Sequence, residues 1–423
     1  MQLTINPNVL KLKESATLAI NQQVKKLRQE GRDICHFGFG QSPFPVPDAI
    51  QSALKDHTDK KSYLPTRGLP ELLDVIAEFY QAQCNYTFSA DQVCIGPGSK
   101  ELIFQAIFLL DGPLVIPAPS WVSYGPQATI RNKKVITVET QSENEYKLQA
   151  NELEEAFNQV GKGQKILIFN NPNNPTGSVH RKAELEDLAM VCRRHNAIVI
   201  SDEIYGLVDF SGRNHTSLVH YYPEGTIVTG GMSKAFSAGG YRLGLMIIPR
   251  EMDQLMRALM SLVSETFSAV SAPIQYAALA AYQYSDEVRE EVERCTEIHR
   301  FTGGYLHRRF VEMGLNCPRP EGAFYLFPDF ENFREKLKRR SIRTSAQLCK
   351  SILDEVDVAL LPASDFYLPE SHLGTRVTSV DYDGAEALKG FTGPSLDQSE
   401  LLRLFPRLVK GCDRLEDYLT RLS

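Results

Sequence analysis

An α/β fold is the architecture the sequence predicts: a mostly parallel central sheet flanked by helices, with a smaller α+β unit beside it. Three observations carry this. Short continuous apolar runs alternate with amphipathic helical patterns through the middle of the chain, the mark of parallel strands covered on both faces. Each run ends in a cluster of glycine, proline and polar residues, and open α/β sheets bind their ligands at those carboxyl ends. Beyond residue 310 the alternation gives way to short strands around one helix. The 423 residues, 43% hydrophobic and 23% charged, allow two or three ordinary globular domains.

In chain order, Leu10, Leu12, Ala16, Leu18, Ala19, Val24 and Leu27 fall near helical spacing and predict a helix over 10–30 that ends before Gly31. Residues 34–47 read as a strand opening into a loop punctuated by Gly38, Gly40 and three prolines. The next helix begins at Pro47, with Asp48 in its first turn, and another covers 70–82. Residues 93–104 read as strand, glycine turn and helix, and a turn that exposes the first amides of a helix is an anion site. Residues 115–124 read as a strand ending in a proline-stiffened loop, and strands follow at 165–170, 197–202, 225–230 and 243–249, with a helix over 181–195. Residues 250–310 read as helical. Strands are expected at 318–327 and 358–362, with a helix over 345–355 between them, and 375–380 alternates as an antiparallel strand would.

A formal net charge of −6 argues against nucleic-acid and membrane-surface roles, which call for a basic patch. No apolar run reaches the length of a membrane span, and the first residues lack a signal-peptide pattern. The eight cysteines form no Cys-x-x-Cys pair, so reduced, mostly buried thiols in a cytoplasmic protein are expected, with no metal site.

The stretch Thr229–Gly244 sets Lys234 on a glycine-rich loop between two apolar strands, with Ser233 before it and Arg242 after it. A lysine amine in low-dielectric surroundings beside a second cation is favoured over its ammonium and can condense with an aldehyde. Ser233 and Arg242 are the hydroxyl and forked cation that hold phosphates. An aldehyde-binding lysine beside a phosphate site describes pyridoxal phosphate, although a surface lysine and an arginine in an ion pair would use the same residues.

With these motifs in this order, the sequence resembles the fold-type I aminotransferases that use pyridoxal 5′-phosphate, in the branch holding class I aspartate, alanine and aromatic enzymes. The resemblance runs from about Ser15 to Val380. It departs at Gln41-Ser42-Pro43, at Tyr241 before Arg242, and after Val380. It implies a large cofactor-binding domain over 48–310 and a small domain from 1–47 plus 311–423. Lys234 would condense with the cofactor and shuttle the substrate proton, and Asp202 would face the ring nitrogen. Tyr205 and Asn174 would bond the ring oxygen, and Trp121 would stack on the ring. Gly98, Ser99, Lys100, Ser233 and Arg242 would hold the phosphate, joined by Tyr63 from a second subunit of a homodimer. Arg376 would pair with the substrate α-carboxylate, with Trp121 and Asn174 beside it, and Gly40 would close over the substrate. Ser15 and Lys100 stand where one branch of the family meets a distal carboxylate, which favours an acidic amino acid as donor and a 2-oxo acid such as 2-oxoglutarate as acceptor. The same fold and lysine also serve alanine and aromatic aminotransferases and carbon–sulfur lyases.

Overall fold

The computed structural model describes residues 3–212 and 215–422. Twelve strands are present among them: β1 (Cys35–His36), β2 (Val93–Gly96), β3 (Leu114–Ala118), β4 (Val135–Glu139), β5 (Ile166–Asn170), β6 (Ile198–Asp202), β7 (Thr226–Gly231), β8 (Gly244–Ile247), β9 (Tyr325–Leu326), β10 (Val358–Ala359), β11 (Leu361–Pro362) and β12 (Thr375–Thr378). Seven form one sheet in the order β2-β8-β7-β6-β5-β3-β4, parallel throughout except for β8. The carboxyl ends of β3, β5, β6 and β7 therefore share one edge. Because β8 runs the other way, Arg242, just before its start, reaches that same edge.

The continuous apolar runs follow from burial on both faces. Along β5, Ile166 and Ile168 pack into one core cluster with Ile200 and Ile227, while Leu167 and Phe169 point to the opposite cluster with Val199. Each such side chain contributes about 1.5–3 kcal/mol when fully buried. Helices Ser99–Leu109 and Asp253–Ser264 cover the first face, and Ala150–Val160 and Lys182–Arg194 the second.

A separate cluster is built from residues 295–317, 326–360 and 401–422, with β1 paired to β10 beneath it. The long helix Asp286–Glu312 spans two cores: Val288 and Val292 pack toward the seven-stranded sheet, and Ile298, Leu306 and Phe310 into this second cluster.

Several elements differ from expectation. The helix over 10–30 starts late, as Ala16–Gln29 capped at Ser15, after a short turn Pro7–Leu10. Only its stripe at Ala16, Ile20, Val24 and Leu27 finds a core, while Leu10 is exposed. The region 250–310 is helical as expected, in three α-helices. The strand expected over 318–327 shrinks to β9, because residues 321–323 bond to Gly177 and Val208 instead of a neighbouring strand. The 358–362 segment splits between two sheets. β12 is antiparallel as expected but buried at all four positions, since it is the middle strand between β11 and β9 and is covered on both faces. All eight cysteines are free and buried.

Candidate active site

The strand ends and the β12 segment enclose a cavity of about 490 Å³. Twelve of the residues singled out from the sequence line it: Ser15, Gly40, Ser99, Lys100, Trp121, Asn174, Asp202, Tyr205, Ser233, Lys234, Arg242 and Arg376. Gly98 stands just behind the lining as the N-cap of helix Ser99–Leu109. Tyr63 is not brought in by its own chain and is 96% exposed.

Lys234 follows β7 on a loop and donates from Nζ to the Gly40 carbonyl at 2.7 Å. Burial, with Arg376, Arg242 and Lys100 nearby, pushes its ammonium down to about 7. Asp202 ends β6 and is only 4% exposed. Its carboxylate accepts from Tyr124 Oη at 2.7 Å, and burial pushes its pKa up to about 6 against those bonds and the nearby Lys234. Arg376 on β12 is 1% exposed. It donates to the Gly38 carbonyl at 2.5 Å and to Asn174 Oδ1 at 3.3 Å, while its Nε has no partner. Among the described residues no ion pair involves Lys234, Asp202 or Arg376. Burying charges without ion-pair partners is costly, so two such groups with half-buried Lys234 beside them around one cavity mark a site shaped for a charged ligand.

A second corner is built for an anion. Gly98 has φ +95°, and a Cβ there would collide with the Arg242 guanidinium. No side chain caps the helix that starts at Ser99. The guanidinium donates to the Gly239 and Pro97 carbonyls at 2.9 and 3.2 Å, beside Ser233. A helix N-terminus with an arginine and a hydroxyl is suited to a phosphate.

Residues 32–381 match the family model described as aminotransferase class I and II. The chain belongs to this family. It is 32% identical over 394 residues to an aspartate aminotransferase of Bacillus subtilis, covering 90% of this chain and 96% of the relative. It is 30% identical to an asparagine–oxo-acid transaminase of Streptococcus mutans, over 87% of this chain and 93% of the relative. The solved structure of a Thermus thermophilus aspartate aminotransferase with maleate superposes with a TM-score of 0.85 at 26% identity, covering all of both chains. The protein is a class I aminotransferase, and the carbon–sulfur lyase reading is set aside.

Two residues of this aminotransferase's cavity region carry no motif and were missed in the sequence. Tyr124 orients the Asp202 carboxylate from helix Tyr124–Ile130, and Tyr325 bonds Tyr205 through its hydroxyl at 2.6 Å. Tyr325 sits in an apolar run where an aromatic residue reads as core, and Tyr124 closes a proline- and serine-bearing loop with no motif of its own. Ser42, where the family pattern has a different residue, meets Ser237 of the lysine loop at 2.6 Å and ties the 38–44 segment to it.

The depressed Lys234 amine has a direct consequence. A small amine-directed reagent applied to the cofactor-free protein should modify Lys234 with a midpoint near pH 7. Peptide mapping across a pH series reads this, and a Lys234 midpoint above pH 9 would contradict the desolvated site.

Proposed function

We propose that this aminotransferase holds pyridoxal 5′-phosphate in the cavity and moves the amino group of an acidic L-amino acid, aspartate or glutamate, to a 2-oxo acid such as 2-oxoglutarate or oxaloacetate. The observation that carries the reading is the set of charges without an ion-pair partner around one cavity: buried Asp202 and Arg376, with half-buried Lys234 between them. The residues present fit the cofactor, with a Gly98 cradle, an uncapped helix start and Arg242 in one corner, and a near-neutral amine in the other. Bound there, pyridoxal phosphate supplies an aldehyde for the amine and a ring that withdraws electrons from the substrate α-carbon.

The chain's own groups do the rest. Lys234 is the base that takes and returns the α-proton, which its near-neutral amine can do at pH 7. Asp202, held by Tyr124, would set its carboxylate against the ring nitrogen. Asn174 and Tyr205 would donate to the ring oxygen, and Trp121 would cover a ring face. Ser99, Ser233 and Arg242 would take the phosphate, with Tyr63 supplied by a second copy. The fork of Arg376 takes the α-carboxylate in two bonds, which a lysine could not copy, and Gly40 closes over the substrate. A homodimer is supported by the exposure of Tyr63 together with Leu3, Ile5, Val9 and Leu10. No helix among the described residues is long and apolar enough to cross a membrane. The eight free thiols suit a cytoplasmic setting.

The acidic donor rests on Ser15 and Lys100. Both line the cavity, and Lys100 has no carboxylate partner among the described residues. Its ammonium lies 5.1 Å from the Trp121 ring, and burial with Arg242 nearby holds its pKa down. The Bacillus relative is named for aspartate, and maleate in the Thermus structure carries two carboxylates. A panel of amino donors against 2-oxoglutarate, pyruvate and oxaloacetate tests the reading: aspartate or glutamate should react fastest, and preference for alanine or an aromatic donor would overturn the acidic assignment. Lys100→Ala should raise KM for aspartate at least roughly tenfold more than KM for alanine. Equal losses with both donors would assign Lys100 to the phosphate.

A further inference from the structure

Tyr325 is used by none of the roles above, yet its hydroxyl sits at the centre of the site. It stands on β9, opposite Thr378 on β12, and is 1% exposed. Its Oη lies 2.6 Å from Tyr205 Oη. Its ring lies 5.0 Å from the Arg376 guanidinium, and a Cβ on Gly40 would collide with the hydroxyl, so backbone closes that side.

Two hydroxyls in contact share one proton along the bond, and the donor cannot direct that proton elsewhere. The Arg376 guanidinium against the Tyr325 ring favours negative charge there and makes Tyr325 the better donor. Burial raises both phenols, but Tyr205 well above its usual range, whereas Arg376 and the bond to Tyr205 hold Tyr325 lower. Chained hydrogen bonds polarise one another, so a hydroxyl that accepts from one side donates more strongly on the other.

We propose that Tyr325 is a positioning residue acting through Tyr205: its hydroxyl donates to the Tyr205 oxygen and keeps the Tyr205 proton aimed into the cavity, toward the anionic ring oxygen of the bound cofactor. This rests on the cofactor reading above.

The test is the pH titration of the absorbance of protein loaded with pyridoxal phosphate. A proton donated to the ring oxygen favours its anion, so weakening that bond raises the midpoint. Tyr325→Phe keeps the ring on Arg376 and removes only the hydroxyl. It should raise the midpoint by on the order of half a pH unit with KM for the donor within about twofold. Tyr205→Phe should raise it further, and the double variant should rise no more than Tyr205→Phe alone. Tyr325→Leu, which also strips the ring from Arg376, should add a rise in KM. If Tyr325→Phe titrates as the parent while Tyr205→Phe shifts, or if the double variant sums both shifts, the proposal is overturned and the cofactor reading stands. If the loaded parent shows no cofactor band, the cofactor reading fails and takes the proposal with it.

Discussion

Replacing Lys234 with alanine is expected to lower amino-group transfer by at least ~10⁴-fold while the protein stays folded, because in the proposed reaction the side chain would be both the anchoring nucleophile and the proton carrier. The structural reason is the isolation of the amine. It donates to the Gly40 carbonyl, and burial with Arg376, Arg242 and Lys100 opposes its ammonium more than nearby Asp202 favours it. Taking a desolvated cation out of such a place removes no stabilising ion pair, so the thermal midpoint should hold or rise. Single-turnover assays with aspartate, alongside thermal unfolding of the same preparation, read both quantities. A variant that keeps even one-tenth of the parent rate would remove Lys234 from the chemistry.

The second large effect is expected at Asp202. Asparagine has the same shape and can keep the bond from Tyr124, but it carries no charge to hold a proton on the ring nitrogen that the proposed cofactor would set against it. Transfer should fall by roughly 10²–10⁴-fold, mostly in kcat, with the fold intact. Because burial already lifts the Asp202 carboxyl to about 6, the parent's charge near neutral pH depends on the groups around it. Tyr124→Phe, which deletes its closest recorded bond, is a useful companion. An Asp202→Asn protein that melts early yet transfers normally per folded molecule would leave Asp202 a structural role only.

How much of this was readable in the chain depends on what each residue's signal was made of. Strands β5, β6 and β7 were legible because burial on two faces writes an unbroken apolar run, and the polar cluster after each run lies at one sheet edge by topology. That rule alone placed Asn174, Asp202, Tyr205 and Lys234 near each other before any geometry was known. Arg376 was harder, since its strand is short and its neighbours come from β9 and β11, far away in sequence. Tyr124 and Tyr325 were not legible at all. Their ring burial is what an ordinary core residue shows, and only the register that sets each hydroxyl against Asp202 or Tyr205 gives it a use. The late start of helix Ala16–Gln29 has a similar cause: Leu10 and Leu12 fit helical spacing, but only the stripe from Ala16 onward meets a core. Strand β4 and the final helix Pro406–Thr420 went unassigned. The first is a sheet edge with exposed positions, and the second buries its apolar face against 295–317 and 345–356, distant in sequence.

The central claim is that one half-buried amine, Lys234, captures the cofactor. Borohydride reduction of protein loaded with pyridoxal phosphate, followed by peptide mapping, tests it most directly. The label should fall on Lys234 alone at one per chain, with surface lysines unmodified. A label on another lysine, or none, would contradict the account at its base.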